Sequence, residues 1–207
     1  MVEEMNCFLD SARGLRSFVD VGAFHGAFLL AFAALNPGAC VLALEPFPDA
    51  FKALTSNGEL NEGFKSKPLM QAAGRELGTI RMKQEWEHFV VIDPKDNKEE
   101  NFFTVPVVPL DILAQQQNVW PEIIKVDVEG FESDVLAGAK ECLKRCRVLR
   151  LEVQPREFKR RDVETGRFLQ ELGNYGFEIF FTNGKRVQAN SLPEETFRVV
   201  LIRCIHG

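Results

Sequence analysis

One short stretch concentrates the side chains best suited to moving a proton. In Ile123-Ile-Lys125-Val-Asp127-Val-Glu129-Gly130, a lysine and two carboxylates alternate with apolar residues. In a strand, that period of two points Lys125, Asp127 and Glu129 to one side. A carboxylate at a strand end can take the proton of a weak hydroxyl nucleophile, and a neighbouring ammonium holds it ionised. Asp127 therefore reads as the base or acceptor orienter, Glu129 as its partner and Lys125 as the pairing charge. The plainer alternative is that either carboxylate only caps the following helix. Glu152 closes the next apolar run in the equivalent place and reads as a substrate contact. His88 is a further substrate-side candidate and His25 a candidate base, although a lone loop histidine more often belongs to core or surface.

A second constellation suits a nucleoside. The run ending at Val21 opens into Asp20-Val-Gly22-Ala23-Phe24-His-Gly26. Gly22 permits a tight turn and close backbone approach, and Gly26 close packing at a helix start. Glu45 ends the next apolar run, roughly 20–25 residues further on, where an acid accepts from ribose hydroxyls. Alone it is also compatible with a solvated helix-start carboxylate beside Pro46. A dinucleotide brings a pyrophosphate and favours Gly-x-Gly-x-x-Gly, which this turn lacks. S-adenosylmethionine brings a cationic sulfonium and no phosphate, and Asp20 at the turn's entrance suits that charge. We therefore expect S-adenosylmethionine as cofactor. An NAD-dependent oxidoreductase and a catalytically inactive scaffold that keeps the cofactor fold are the alternatives.

The elements that must position these residues alternate along the chain. Strands are expected at 16–21, 40–44, 68–73, 123–128, 147–153, 177–182 and 197–204, with shorter β pieces at 79–83 and 105–108. Helices are expected at 26–35, from Pro48 to about 57, from Phe131 through Leu143, and at 166–175. Such alternation predicts an α/β fold with a mainly parallel, doubly wound sheet and an antiparallel pair at the C-terminal edge. Residues 1–15 read as an N-terminal extension and 16–207 as one domain. The irregular segment 84–104 reads as a lid candidate.

Composition excludes several function classes. The 207 residues are 45% hydrophobic with 18 Phe, enough for one large core, and the formal charge of −5 argues against nucleic acid or a membrane surface as partner. The expected partner is a small-molecule acceptor. Five cysteines (Cys7, Cys40, Cys142, Cys146 and Cys204) form no C-x-x-C pair, so no metal is expected and free thiols fit a reducing cytoplasm. The start, Met1-Val-Glu-Glu, carries no signal-peptide pattern, and the longest apolar run, 27–35, falls well short of the ~20 residues that span a bilayer.

Several blocks together resemble the FkbM family of methyltransferases. They are Asp20-Val-Gly-Ala-Phe-His-Gly26, Leu44-Glu45-Pro46-Phe47-Pro48, Leu110-Asp111, Ile124-Lys-Val-Asp127-Val-Glu129-Gly130-Phe-Glu132, Val135-Leu-x-Gly138-Ala139 and Val148-Leu-x-Leu-Glu152. The resemblance spans residues 15–160 in the family's order and spacing. It implies a Rossmann-like class I methyltransferase fold and methyl transfer, usually to a hydroxyl on a sugar or natural product. It also implies that Asp20, Gly22, Ala23, Phe24 and Gly26 frame the methionine part of the cofactor and Glu45 its ribose. Pro46, Phe47 and the segment Ala72-Ala73 would lie near adenine. Phe24 departs from the pattern: the family commonly has Asn there, so a polar contact is lost.

Overall fold

The structure, a computed structural model, describes residues 2–61, 65–85, 88–91, 102–188 and 191–203, with the side chains of 84–85 and 88–91 outside the description. Its central sheet has the order β10-β11-β9-β8-β1-β2-β3. The strands are β1 (Ser17–Val21), β2 (Cys40–Leu44), β3 (Lys65–Leu69), β8 (Ile123–Val126), β9 (Val148–Val153), β10 (Phe177–Phe181) and β11 (Phe197–Arg203). β1 pairs in parallel with β2 on one side and β8 on the other, so strand order reverses between β1 and β8. That reversal opens a crevice beyond the strand ends. The last strand, β11, runs antiparallel between β9 and β10.

The inner strands are buried on both faces, which is why they read as near-continuous apolar runs. Four charged residues interrupt them: Asp20, Lys125, Arg150 and Glu152, all buried. Register places Asp20 beside Lys125, Lys125 beside Arg150, and Glu152 beside Arg198 of β11. Period-two geometry puts this row of charge on one sheet face at the crevice end.

Two helices cover that face. α2 (Ala27–Leu35) is apolar throughout and starts from Gly26, whose φ of 85° is left-handed. α1 (Val2–Ala12) lies against it, burying Phe8 completely. The Phe8 ring meets Phe18, Phe28 and Phe32 at centroid distances of 5.3, 5.0 and 6.4 Å. The segment set apart as an N-terminal extension is therefore part of the core. α4 (Leu110–Gln117) packs on the opposite face, as do α5 (Glu132–Ala137), α6 (Lys140–Arg145) and α8 (Thr165–Gly173). α3 (Pro48–Glu59) follows β2 with proline at its first turn, where its missing donor matters least.

Several elements differ from the expected pattern, among them α4, which that pattern lacks. The helix expected from Phe131 to Leu143 is two, α5 and α6, which meet at Gly138, where a Cβ would stand 2.1 Å from the Gly74 carbonyl oxygen. Asp111 then caps α6, accepting from the amides of Glu141 and Cys142 at 2.9 and 2.8 Å. The strand expected over 68–73 is split between β3 and β4 (Ala72–Ala73), which belong to different sheets. β4 joins β7 (Phe103–Val108), β5 (Gly78–Glu85) and β6 (His88–Val91) in a four-stranded sheet of order β4-β7-β5-β6. The described ends of the lid candidate at 84–104 thus extend strands of this sheet; 86–87 and 92–101 lie outside the described residues. Among the described residues no helix is long and apolar enough to cross a membrane.

Candidate active site

The β1 turn is built by backbone conformation. Gly22 has φ 77°, and a Cβ there would stand 1.9 Å from the Asp127 carbonyl, so the fold itself requires glycine where β1 and β8 end together. Gly26 is left-handed too, and its missing side chain makes room for Leu54. Between them Phe24 has φ 50° and is half exposed, its ring stacked 3.7 Å from His25. Asparagine tolerates that conformation far better than phenylalanine.

Glu45 ties this turn to the next one. Its Oε2 accepts from the Phe24 amide at 2.8 Å and its Oε1 from the Phe47 amide at 2.9 Å. Burial pushes its carboxyl above the usual range, and those two amides oppose the rise. The result is a fixed carboxylate with lone pairs left to accept hydroxyls. Phe47 is itself buried, edge-on to Phe103 of β7 at 5.3 Å, so the small sheet borders this end of the crevice. Ala72 and Ala73 form β4, which pairs with Val107 and Val108 at the other end of β7.

Asp20 is fully buried at the end of β1. Lys125 Nζ lies 3.4 Å from its Oδ1, 3.5 Å from Asp127 Oδ2, and donates to the Gly22 carbonyl at 3.1 Å. Burial raises the Asp20 carboxyl to about 6 against the opposing pull of Lys125. Burial pulls the Lys125 ammonium down, but the two carboxylates outweigh it and hold it above its ordinary value. Neither Asp20 oxygen accepts a hydrogen bond of ordinary geometry. A buried carboxylate with open acceptor positions fits a cationic ligand group at the turn.

Beyond β8 and β9 the structure brings together three of the residues singled out from sequence. Oxygens of Asp127, Glu129 and Glu152 lie within 4.8 Å of one another, a spacing that one cation can bridge. Asp127 is partly exposed while Glu152 is buried. Glu129 reaches the group by a different route from the one its spacing suggests. β8 ends at Val126, and Glu129 and Gly130 follow with φ of 54° and 93°. Strand alternation stops before Glu129, and a left-handed turn carries its carboxylate round. His88 pairs with Glu85 at the start of β6; its side chain lies outside the described residues.

Four contributors carried no usable signal in the sequence. Gln154 donates to Glu129 at 2.7 Å and to Glu152 at 3.2 Å. Glu132, wholly buried, accepts from the amides of Val128 and Gly130, both at 3.2 Å, and so fixes the loop behind Asp127. Burial raises its carboxyl to about 7. Arg198 contacts Glu152 directly and Glu4 of α1 at 3.1 Å. Gln154 and Glu132 have partners close by in the chain, whereas Arg198 and Glu4 come from separate elements that only register and folding unite. The charged run after β9 is α7 (Pro155–Arg160), which packs Glu157 against Gly130.

A family model described as the methyltransferase FkbM domain matches residues 20–179. An rRNA methylase from Streptococcus thermophilus shares the fold at 10% identity, TM-score 0.54, over 96% of this chain and 93% of that one. The N-methyltransferase NodS from Bradyrhizobium japonicum does so at 11% identity, TM-score 0.52, over 98% and 93%. An O-methyltransferase from Bacillus cereus, solved in complex with SAH, does so at 14% identity, TM-score 0.51, over 98% and 81%. No curated protein matches the chain.

Proposed function

The chain belongs to the FkbM methyltransferase family, and on that footing we propose that it methylates a hydroxyl oxygen of a small molecule. It is an S-adenosylmethionine-dependent methyltransferase, which displaces the dehydrogenase alternative. When bound, S-adenosylmethionine supplies an activated methyl group on a sulfonium that is already a good leaving group. The chain's work is alignment and proton removal.

Glu45, held by the Phe24 and Phe47 amides, would accept from the ribose hydroxyls of the cofactor, and the buried Asp20 would set negative charge behind the turn that receives its cationic part. Asp127 receives or orients the acceptor proton, with Glu129 and Glu152 bordering the acceptor. Lys125 pairs with Asp127 at 3.5 Å and with Asp20 at 3.4 Å. That bridge is the observation on which the proposal rests most heavily: one ammonium links the carboxylate at the cofactor turn to the carboxylate at the acceptor. The described cysteines are free thiols, which suits the cytoplasm.

The test is to supply methyl-labelled S-adenosylmethionine with the small-molecule fraction of a cell extract and identify labelled products by mass spectrometry. Label in a methyl ether is the expected result. Label confined to amines, protein or RNA would overturn the choice of acceptor.

A further inference from the structure

A row of charge continues past the catalytic carboxylates into the N-terminal helix. Arg198 lies between Glu152 and Glu4, touching the first and standing 3.1 Å from the second. Arg150, one step deeper on β9, donates to the Glu4 carbonyl and the Cys7 sulfur, both at 3.3 Å. Glu4, Lys125, Asp127, Arg150, Glu152 and Arg198 together line a small recess between α1 and the sheet. α1 therefore forms one wall of the acceptor end, held there through two arginines.

Within that recess Glu152 is the least exposed of the three clustered carboxylates and has the most defined surroundings. Asp127 and Glu129 face it across the cluster, Gln154 donates to it, and Arg198 contacts it from β11. Lys125 is held on Asp127 and Asp20, and Arg150 on α1. The only cation directly on Glu152 among the described residues is therefore Arg198. Taking methyl transfer as read above, we propose that Glu152 and Asp127 accept the substrate proton as one carboxyl pair, and that Arg198 is the positioning residue that aims Glu152 at Asp127.

The atoms balance simply. The acceptor O–H bond breaks and its proton passes to a carboxylate oxygen of the pair. The new carbon–oxygen bond forms as the carbon–sulfur bond breaks, and sulfur keeps the electron pair as a neutral thioether. The titration of Glu152 supports this role: burial and, after it, the charge and hydrogen bond of Asp127 raise its carboxyl, Arg198 and Gln154 oppose them, and it stands at about 7. A proton acceptor poised near neutrality is matched to its task.

The test follows the Glu152 carboxyl directly. The full chain is labelled with glutamate carrying carbon-13 at the side-chain carboxyl and titrated by NMR, and Glu152 is assigned by the signal lost in Glu152→Gln. In the wild type this carbon titrates near neutrality. In Arg198→Gln its midpoint rises by about one pH unit, a tenfold change in proton affinity, and Arg198→Lys restores part of the difference. A midpoint unmoved by both substitutions overturns the positioning role. In the labelled-methyl assay Glu152→Gln lowers transfer about 100-fold while S-adenosylhomocysteine binding stays within twofold; undiminished transfer overturns the shared-proton role. The NMR measurement needs neither donor nor acceptor. Label found on nitrogen would thus revise the acceptor chemistry and leave the Arg198 result standing.

Discussion

Lys125 stands beside Asp20 in register across β8 and β1, and its ammonium lies 3.4 Å from the Asp20 carboxylate on the sheet face that the aromatic side chains of α1 and α2 cover. Both groups are buried, so neither is replaceable alone without leaving a charge in an apolar setting. The pair couples the two strand ends that frame the crevice.

Lys125→Met should accordingly destabilise the fold by about 3–5 kcal/mol, the usual effect of orphaning a buried partner. Adding Asp20→Asn should recover part of that loss. Urea unfolding of the two single variants and the double variant measures the coupling; strictly additive losses would mean the two groups do not sense one another.

Asp127→Asn should lower turnover by about 10²–10⁴, the range for a general base, while cofactor affinity changes less than tenfold. Single-turnover methyl transfer and calorimetry separate the two quantities. Wild-type turnover in this variant removes Asp127 from the mechanism.

The buried carboxyls give stability a definite pH dependence. Glu132 and Glu152 are raised to about 7 and Asp20 to about 6, so the folded chain retains protons that the unfolded chain has already released. Their stabilising contribution is complete below the ordinary carboxylate range and is lost as pH rises through about 6 to 7. The urea midpoint should therefore fall between pH 5 and pH 8. Glu132→Gln should flatten the decline, since a neutral amide keeps an acceptor oxygen for Val128 and Gly130. A slope unchanged in that variant would contradict the assignment.

How much of this was legible in the chain depends on where each signal lies. β1, β2, β8 and β9 announce themselves because buried parallel strands are written as short apolar runs, and most of the charges that interrupt them belong to the candidate site. Asp20, Glu45, Asp127 and Glu152 were therefore visible as strand-end carboxylates. Glu129 was legible in type but not in path, because alternation fails once the backbone turns left-handed at that residue. Arg198 and Glu4 were invisible, being more than 40 residues from Glu152 in either direction and joined to it only by strand pairing and helix packing. The break falls at Gly138, which lies against the Gly74 carbonyl, a contact that no local periodicity encodes. α1 was missed because its helical pattern is short and its partner, Phe8 against the α2 aromatics, is tertiary.

Phe8→Ala should cost about 3–5 kcal/mol, as for a large buried aromatic. Thermal or urea unfolding reads this directly. A change below about 0.5 kcal/mol, typical of surface sites, would mean that residues 2–12 are dispensable to the core.

Phe24→Asn should stabilise the fold by up to about 1 kcal/mol, because a half-exposed phenylalanine pays for its left-handed backbone and asparagine does so less. Melting temperature is the readout. A fall would show that the stack on His25 outweighs the strain.

The most direct test is calorimetric titration of the full chain with S-adenosylhomocysteine, comparing wild type, Glu45→Ala and Asp127→Asn. The account predicts one molecule bound per chain, at least tenfold weaker in Glu45→Ala, about 1.4 kcal/mol, and within tenfold in Asp127→Asn. Absence of binding by the wild type, or affinity untouched by removal of the Glu45 carboxylate, would contradict it.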